Sequence, residues 1–325
     1  MNNKNKILHL EKEAYPLSSL AKLEEAYEVT YASFNKQSDF NAFLVDKDFE
    51  VIFTKLGLSI GKVQMELLKK LKFICTPTTG YNHIDEEYAT KKGIQIIGLK
   101  NHEDFLCQVK STAEHTWALL LSITRNLQPA IINTKNKKKW DRNPYLADEL
   151  NGKNLGIIGY GRLGKIVAEY GHAFGMNVIV NDIDDKVFNK KPFYLEKVGL
   201  NDLLENADYI ILLISWSKDN INFINDKKLS LMKKEAYLIN TSRGELIDES
   251  ALLVALQKNK LEGAAIDVLC GDSSWDKEKT ISNELLDYSR SNSNLIITPH
   301  MGGYGKSSIE KTRSYITNLF LKQIK

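Results

Sequence analysis

The sequence predicts an α/β protein of two domains built on parallel sheets, the second of them a complete doubly wound sheet. Three observations carry this. Short β-rich runs alternate with helix-like stretches along the chain, the rhythm of parallel strands joined by crossover helices. The length, 325 residues, exceeds one typical core and falls short of three. From the turn signal Asn151-Gly152 onward, six strand-like runs follow one another, enough for a complete doubly wound sheet.

Composition narrows the class. With 43% hydrophobic and 26% charged residues, the chain is not largely disordered. A net charge of +3 is too small to argue for nucleic acid as a partner. Cys75, Cys107 and Cys270 are odd in number and widely spaced, so neither a zinc clip nor a disulfide framework is expected. Reduced thiols fit a cytoplasmic setting. The N-terminus has only the short run ILHL before charges return, which is no secretory core. The longest apolar run, residues 209–214 extended to Trp216, is far below the ~20 residues of a membrane span.

The elements follow in order. Strands are expected at residues 6–10, 51–53, 73–75 and 94–97. Between them, Val63, Leu67, Leu68 and Leu71 have helical spacing over 63–71, and Lys92-Gly93 reads as a helix end. Ser111-x-x-Glu114 is a capping-box pattern that opens a helix with Trp117, Leu120, Leu121 and Thr124 on one side. The lysine-rich stretch 133–142 reads as a solvated loop, with a phosphate-binding patch as the alternative. Strands are then expected at 155–158, 178–181, 209–214, 236–240, 263–268 and 295–298. The last stretch, 307–324, places Ile309, Ile316, Leu319, Phe320 and Ile324 on one helical face.

The sharpest motif is Gly159-Tyr160-Gly161-Arg162-Leu163-Gly164. A strand precedes it, a helix with Leu163, Ile166, Val167, Tyr170 and Phe174 on one face follows, and a second strand ends in Asp182. This is the full βαβ dinucleotide fingerprint. Gly159 permits the tight turn, Gly161 lets the backbone approach a pyrophosphate, and Gly164 lets helix and strand pack closely. The helix start then holds the anion. Asp182 would accept hydrogen bonds from ribose hydroxyls and repel a 2′-phosphate, and Ile183 supplies no cation, so NAD (NADH) is favoured over NADP.

Three further segments stand at expected strand ends, where open α/β sheets place ligands. Asn240-Thr241-Ser242-Arg243-Gly244 offers a guanidinium fork suited to a carboxylate or a carbonyl oxygen. The run 263–268 ends near Asp267, which could meet a nicotinamide amide, and Asp272 beyond it could pair with a histidine. Thr298-Pro299-His300-Met301-Gly302-Gly303 carries an imidazole suited to giving a proton to an alkoxide, and Gly302 and Gly303 let backbone come near a ligand. The remaining histidines, His9, His83, His102, His115 and His172, read as structural or surface residues, with His115 the next candidate. A dinucleotide site, a cation for carboxylate and carbonyl, and a proton donor together suit hydride transfer to a 2-keto acid.

These segments, with TTGYNHID at 78–85 and STAEHTWALLLSITRN at 111–126, resemble the D-isomer-specific 2-hydroxyacid dehydrogenases, of which the D-3-phosphoglycerate dehydrogenases are members. The resemblance runs from about Val51 to the C-terminus. It implies two lobes with a cleft between them: a flavodoxin-like substrate-binding lobe from 1–110 with 304–325, and a Rossmann NAD-binding lobe from 111–303. It also implies an NAD-dependent oxidoreductase that interconverts a D-2-hydroxy acid and its 2-keto acid, working as a cytoplasmic homodimer with a small-molecule substrate and neither nucleic acid nor membrane. Arg243 would bind the substrate carboxylate, His300 would be the acid/base and Asp272 its partner, although the family usually has Glu at that position. Backbone at Thr79 and Gly80 would hold the carboxylate. Thr241, Ser242 and Asp267 would meet the nicotinamide end, and Ser215 the adenine side, where Ser215-Trp216-Ser217 replaces the usual His-Val-Pro. The chain ends directly after the terminal helix, so no regulatory domain is expected. Two alternatives remain at this level: an NAD-binding sensor on the same scaffold, and an oxidoreductase of formate or phosphite, whose chemistry needs no alkoxide proton donor.

Overall fold

The computed structural model describes residues 4–137, 140–189, 192–272 and 283–324. They form two units. One takes the chain up to Val109 and again from Gly305; the other runs from Lys110 to Asp272 and again up to Tyr304.

The first unit alternates β1 (Lys6–His9), α1 (Leu17–Ala26), β2 (Glu28–Tyr31), α2 (Gln37–Leu44), β3 (Val51–Phe53), α3 (Lys62–Leu67), β4 (Phe73–Cys75), α4 (Glu86–Lys91), β5 (Gln95–Ile97) and α5 (Glu103–Leu106). Its five parallel strands lie in the order β2-β1-β3-β4-β5, the flavodoxin-like arrangement. Both faces are covered, so neighbouring strand residues are buried on opposite sides. Leu8, Ile52 and Ile74 face Phe40 and Leu44, while Ile7, Phe53 and Cys75 face Leu23, Ile316 and Phe320. That two-sided burial is why these strands read as continuous apolar runs. β2 escaped the sequence reading because it lies at the sheet edge with no fully buried residue. The helix expected over 63–71 is shorter: Leu68 leaves helical geometry, and Val63 is exposed.

The second unit contains α6 (Ser111–Thr124), α7 (Leu127–Lys137), β6 (Asn154–Ile158), α8 (Arg162–Ala173), β7 (Asn177–Asn181), β8 (Leu195–Lys197), α9 (Leu200–Asn206), β9 (Tyr209–Leu212), α10 (Asp226–Leu229), β10 (Tyr237–Asn240), α11 (Glu249–Gln257), β11 (Gly263–Ile266), α12 (Glu284–Ser289) and β12 (Leu295–Ile297). All neighbouring strands are parallel, in the order β12-β11-β10-β9-β6-β7-β8. The order reverses between β6 and β9, the switch point at which such sheets hold ligands. The last helix, α13 (Lys306–Gln323), packs in the first unit, where Arg313 Nη2 donates to Glu11 Oε2 at 2.8 Å.

Four readings are corrected. The sheet has seven strands among the described residues rather than six; β8 was missed because it is three residues long, lies at the edge and buries only Leu195. Ser111 does not cap α6: Lys110 is the N-cap, and the Ser111 hydroxyl donates to Gly302 O at 2.8 Å. The stretch 133–142 is helical as far as Lys137, because lysine is a good helix former and polarity alone does not unwind a helix. Residues 138 and 139 of that stretch lie outside the described residues. Phe174, expected on one face of α8 with Leu163, Ile166, Val167 and Tyr170, lies just past that helix as its C-cap and is 44% exposed.

Candidate active site

The dinucleotide turn joins β6 to α8. Gly159 has φ +102°, and a Cβ there would sit 2.7 Å from Leu213 O, so only glycine makes this turn beside β9. A Cβ on Gly164 would lie 2.1 Å from Gly159 O, which fixes how closely α8 approaches its own entry loop. At Gly161 a Cβ would meet nothing within 4 Å. Its surroundings are open, as an approaching ligand requires. Arg162 and Leu163 start α8, whose first N–H groups have no partner in the helix. Tyr160 is buried and stacks on Phe188 at 5.5 Å. Asp182, just past β7, accepts from Tyr160 N at 2.7 Å and from Asp184 N at 2.9 Å. One carboxylate thus ties the fingerprint loop to the end of β7 with acceptor capacity left over, while Ile183 beside it is fully exposed.

The loop after β10 is stapled by a buried side chain. Asn240 Oδ1 accepts from Ser242 N at 2.9 Å and Asn240 Nδ2 donates to Arg243 O at 2.9 Å. Ser242 Oγ donates to Leu212 O at 2.8 Å, which ties the loop to β9. Thr116 gives its hydroxyl proton to Thr112 O, so the 2.7 Å contact between Thr116 and Thr241 has Thr241 as donor. Arg243 is extended, with Nη1 donating to Ser242 O at 2.6 Å. Gly244 follows, where a Cβ would lie 2.0 Å from Leu269 C. Backbone crossing at that range brings Arg243 beside the loop that leads to Asp272.

Asp267 is the node of the site. Its side chain is buried, and both oxygens are engaged: Oδ1 accepts from Thr298 Oγ1 at 2.5 Å, Met301 N at 2.9 Å and His115 Nε2 at 3.2 Å, and Oδ2 from Gly302 N at 2.7 Å. Burial pushes the Asp267 carboxyl up, but the hydrogen bonds from His115, Thr298, Met301 and Gly302 outweigh it and leave it below the ordinary carboxylate range. The Asp267 carbonyl also accepts from His300 N at 2.8 Å. These contacts hold His300 at φ +50°, a left-handed conformation that a β-carbon disfavours. His300 Nδ1 lies 3.0 Å from Asp272 Oδ2, and that carboxylate also takes the N–H of Leu269 at 3.2 Å. A carboxylate only accepts, so the proton between them sits on Nδ1. The Asp272 carboxylate, short as its side chain is, therefore reaches the ring. Gly302 is buried and Gly303 exposed.

Ser215 is exposed after β9, and its carbonyl accepts from Asn220 Nδ2 at 2.7 Å. Asn220 also accepts from Ser217 N at 2.7 Å, a bracing that stands where a proline would stiffen the chain. In the first unit, Thr79 is exposed and Gly80 half-buried, in the loop after β4. Sequence reasoning missed Thr298, left His83 as structural and held His115 only as the next candidate. The available signal was a Thr preceding Pro299 and a hydroxyl-rich run, Thr76-Pro77-Thr78-Thr79, after a strand.

Residues 117–302 match the family model of the NAD binding domain of D-isomer specific 2-hydroxyacid dehydrogenases. The chain is 33% identical over 269 residues to the D-3-phosphoglycerate dehydrogenase of Bacillus subtilis, covering 80% of this chain and 46% of that protein. It is 30% identical over 296 residues to the glyoxylate reductase of Pyrococcus furiosus, covering 89% and 84%. It spans about half the length of the D-3-phosphoglycerate dehydrogenases it matches. Among solved structures, a D-lactate dehydrogenase from Aquifex aeolicus, complexed with NAD and lactic acid, superposes with a TM-score of 0.79 at 28% identity, covering 98% of this chain and 95% of that one. The chain therefore belongs to the family of D-isomer specific 2-hydroxyacid dehydrogenases.

Proposed function

We propose that the protein catalyses NAD-dependent interconversion of a D-2-hydroxy acid and its 2-keto acid. The observation that supports this most directly is the imidazole–carboxylate pair His300–Asp272 at 3.0 Å, set at the same carboxyl edge of the sheet as the fingerprint loop. The fingerprint residues fit a dinucleotide: open space at Gly161, the positive end of the α8 dipole behind it, and a ribose acceptor at Asp182. When bound, the nicotinamide supplies or accepts the hydride. The chain does the rest. Arg243 orients the carboxylate and polarises the carbonyl, and His300 Nε2 gives the proton to the forming alkoxide, or removes it in the reverse direction. Asp272 holds the ring and stabilises its charged form. Asp267 shapes the loop at the nicotinamide end, with Thr241, Ser242, Gly302 and Gly303, and Ser215 lies on the adenine side. The amides of Thr79 and Gly80 take the substrate carboxylate. Residues 1–110 with 304–325 would form the substrate lobe and 111–303 the coenzyme lobe.

The protein would work as a homodimer in the cytoplasm. Leu127, Ile131, Ile132, Trp140 and Leu146 are exposed in one stretch of the second unit, and the three cysteines are free thiols. The test is a panel of 2-keto acids with NADH and with NADPH, followed by absorbance. Turnover of at least one acid with NADH is expected, lost by at least ~100-fold in His300→Asn and in Arg243→Ala. A protein that binds NADH but turns over no acid of the panel would be a sensor instead, and a preference for NADPH would overturn the role given to Asp182.

A further inference from the structure

The loop after β4 contains a chain of hydrogen bonds whose direction can be worked out from one end. Thr78 Oγ1 lies 2.8 Å from Gly80 O. A carbonyl only accepts, so Thr78 gives its single hydroxyl proton to Gly80. Thr76 Oγ1 is 2.9 Å from Thr78 Oγ1, and Thr78 has no further proton, so Thr76 is the donor there. Thr76 Oγ1 is also 3.1 Å from His83 Nε2 and has now used its own proton, so His83 must donate from Nε2. The chain runs one way: His83 Nε2–H to Thr76, Thr76 to Thr78, Thr78 to the Gly80 carbonyl. Burial pushes the His83 imidazole down to about 4, so at neutral pH it is uncharged and this geometry selects its Nε2–H tautomer.

The loop is anchored at both ends. Thr76 is buried and its N–H donates to Ile97 O at 2.8 Å; Leu99 N donates to Thr78 O at 3.0 Å; Ile60 N donates to His83 O at 2.8 Å. The Tyr81 ring lies where a Cβ on Gly98 would be, at 2.2 Å from its hydroxyl. Between the anchors, the N–H groups of Thr79, Gly80 and Tyr81 donate no hydrogen bond among the described residues. In a trans peptide the carbonyl and the next N–H point opposite ways. Fixing the Gly80 carbonyl therefore aims the Tyr81 N–H away from the relay, and a chain of aligned hydrogen bonds polarises that amide further. Successive free amides of this kind favour an anion.

We propose that His83, acting through Thr76 and Thr78, is a positioning residue that orients the 79–81 amides for the substrate carboxylate. The inference rests on the 2-keto acid reading above. Two measurements keep the two apart. Long-range ¹H–¹⁵N spectra of the full chain without substrate should show His83 as the Nε2–H tautomer from pH 6 to 8. An Nδ1–H tautomer, or titration within that range, overturns the relay whatever the enzyme's activity. For the best acid of the panel, Thr78→Val should raise KM about tenfold while kcat falls far less, and Thr78→Ser should restore KM. Equal loss of kcat and KM in both variants, or no change in KM with Thr78→Val, overturns the positioning role. Absence of all keto-acid turnover in the unaltered protein would overturn the 2-keto acid reading and with it the ligand assigned to these amides, while the spectra would still test the relay.

Discussion

At the scale of single residues, the site depends on which atom holds which proton. The role proposed for His300 at Nε2 depends on Asp272 holding Nδ1, so weakening that partner should cost chemistry more than coenzyme binding. Asp272→Asn is expected to lower kcat about 100-fold and to leave the NADH dissociation constant within about twofold, the first by stopped-flow absorbance and the second by titration calorimetry. A loss of NADH affinity as large as the loss of kcat would show that Asp272 maintains the fold of the loop rather than the imidazole. Residue types at these positions were legible in the sequence: an arginine, a histidine and a carboxylate, each after an expected strand. The bonds of Asp267 were not. His115 and Asp267 stand 152 positions apart, and no local pattern signals that such a pair will meet. Read from the sequence, Asp267 was a group facing the nicotinamide amide; in the structure its carboxylate binds His115, Thr298, Met301 and Gly302 and builds the loop that carries His300.

Elements show where local chemistry meets packing. The β6–α8 turn is steric before it is functional, because Gly164 sits 2.1 Å, at its missing Cβ, from Gly159 O. Gly164→Ala should destabilise the protein by about 2–3 kcal/mol in urea unfolding and weaken NADH binding, whereas Gly161→Ala, with open space around it, should weaken NADH binding and leave stability near the parent value. Equal destabilisation by both would contradict the packing argument. β1 provides a second case. His9 is fully buried at its end, stacked on Phe53 at 5.1 Å, with no hydrogen-bond partner for Nε2 among the described residues. Burial lowers this imidazole from 6.5 to about 3. The unfolded chain takes up a proton below 6.5 and the folded chain only near 3, so unfolding binds more protons in between. Stability is therefore complete above about pH 6.5 and drains away as the pH falls, by about 4 kcal/mol if the folded value is reached. His9→Phe should flatten this acid limb in urea titrations run from pH 7 to 4; a limb of unchanged slope would show that other groups cause it. Alternating strands and helices foretold both sheets, but the edge strands β2 and β8 escaped, because an edge strand buries too little to leave an apolar signature.

For the molecule as a whole, the exposed apolar residues on and after α7 suit a partner surface of the same chain. Sedimentation equilibrium should give a dimer, and Ile132→Lys combined with Trp140→Lys should give a monomer that still binds NADH; a monomeric parent protein would remove this assignment. Read alone, the chain already establishes the α/β class, the dinucleotide loop and the types of the side chains proposed to react, since strand burial, helical spacing and the steric needs of glycine act over a few neighbouring residues. Long-range packing sets the strand orders β2-β1-β3-β4-β5 and β8-β7-β6-β9-β10-β11-β12, the partners of Asp267, and the direction of proton donation from His83 to Gly80. Those depend on which distant segments pack against one another, and a side chain buried by that packing must take whatever donor or acceptor the fold brings to it.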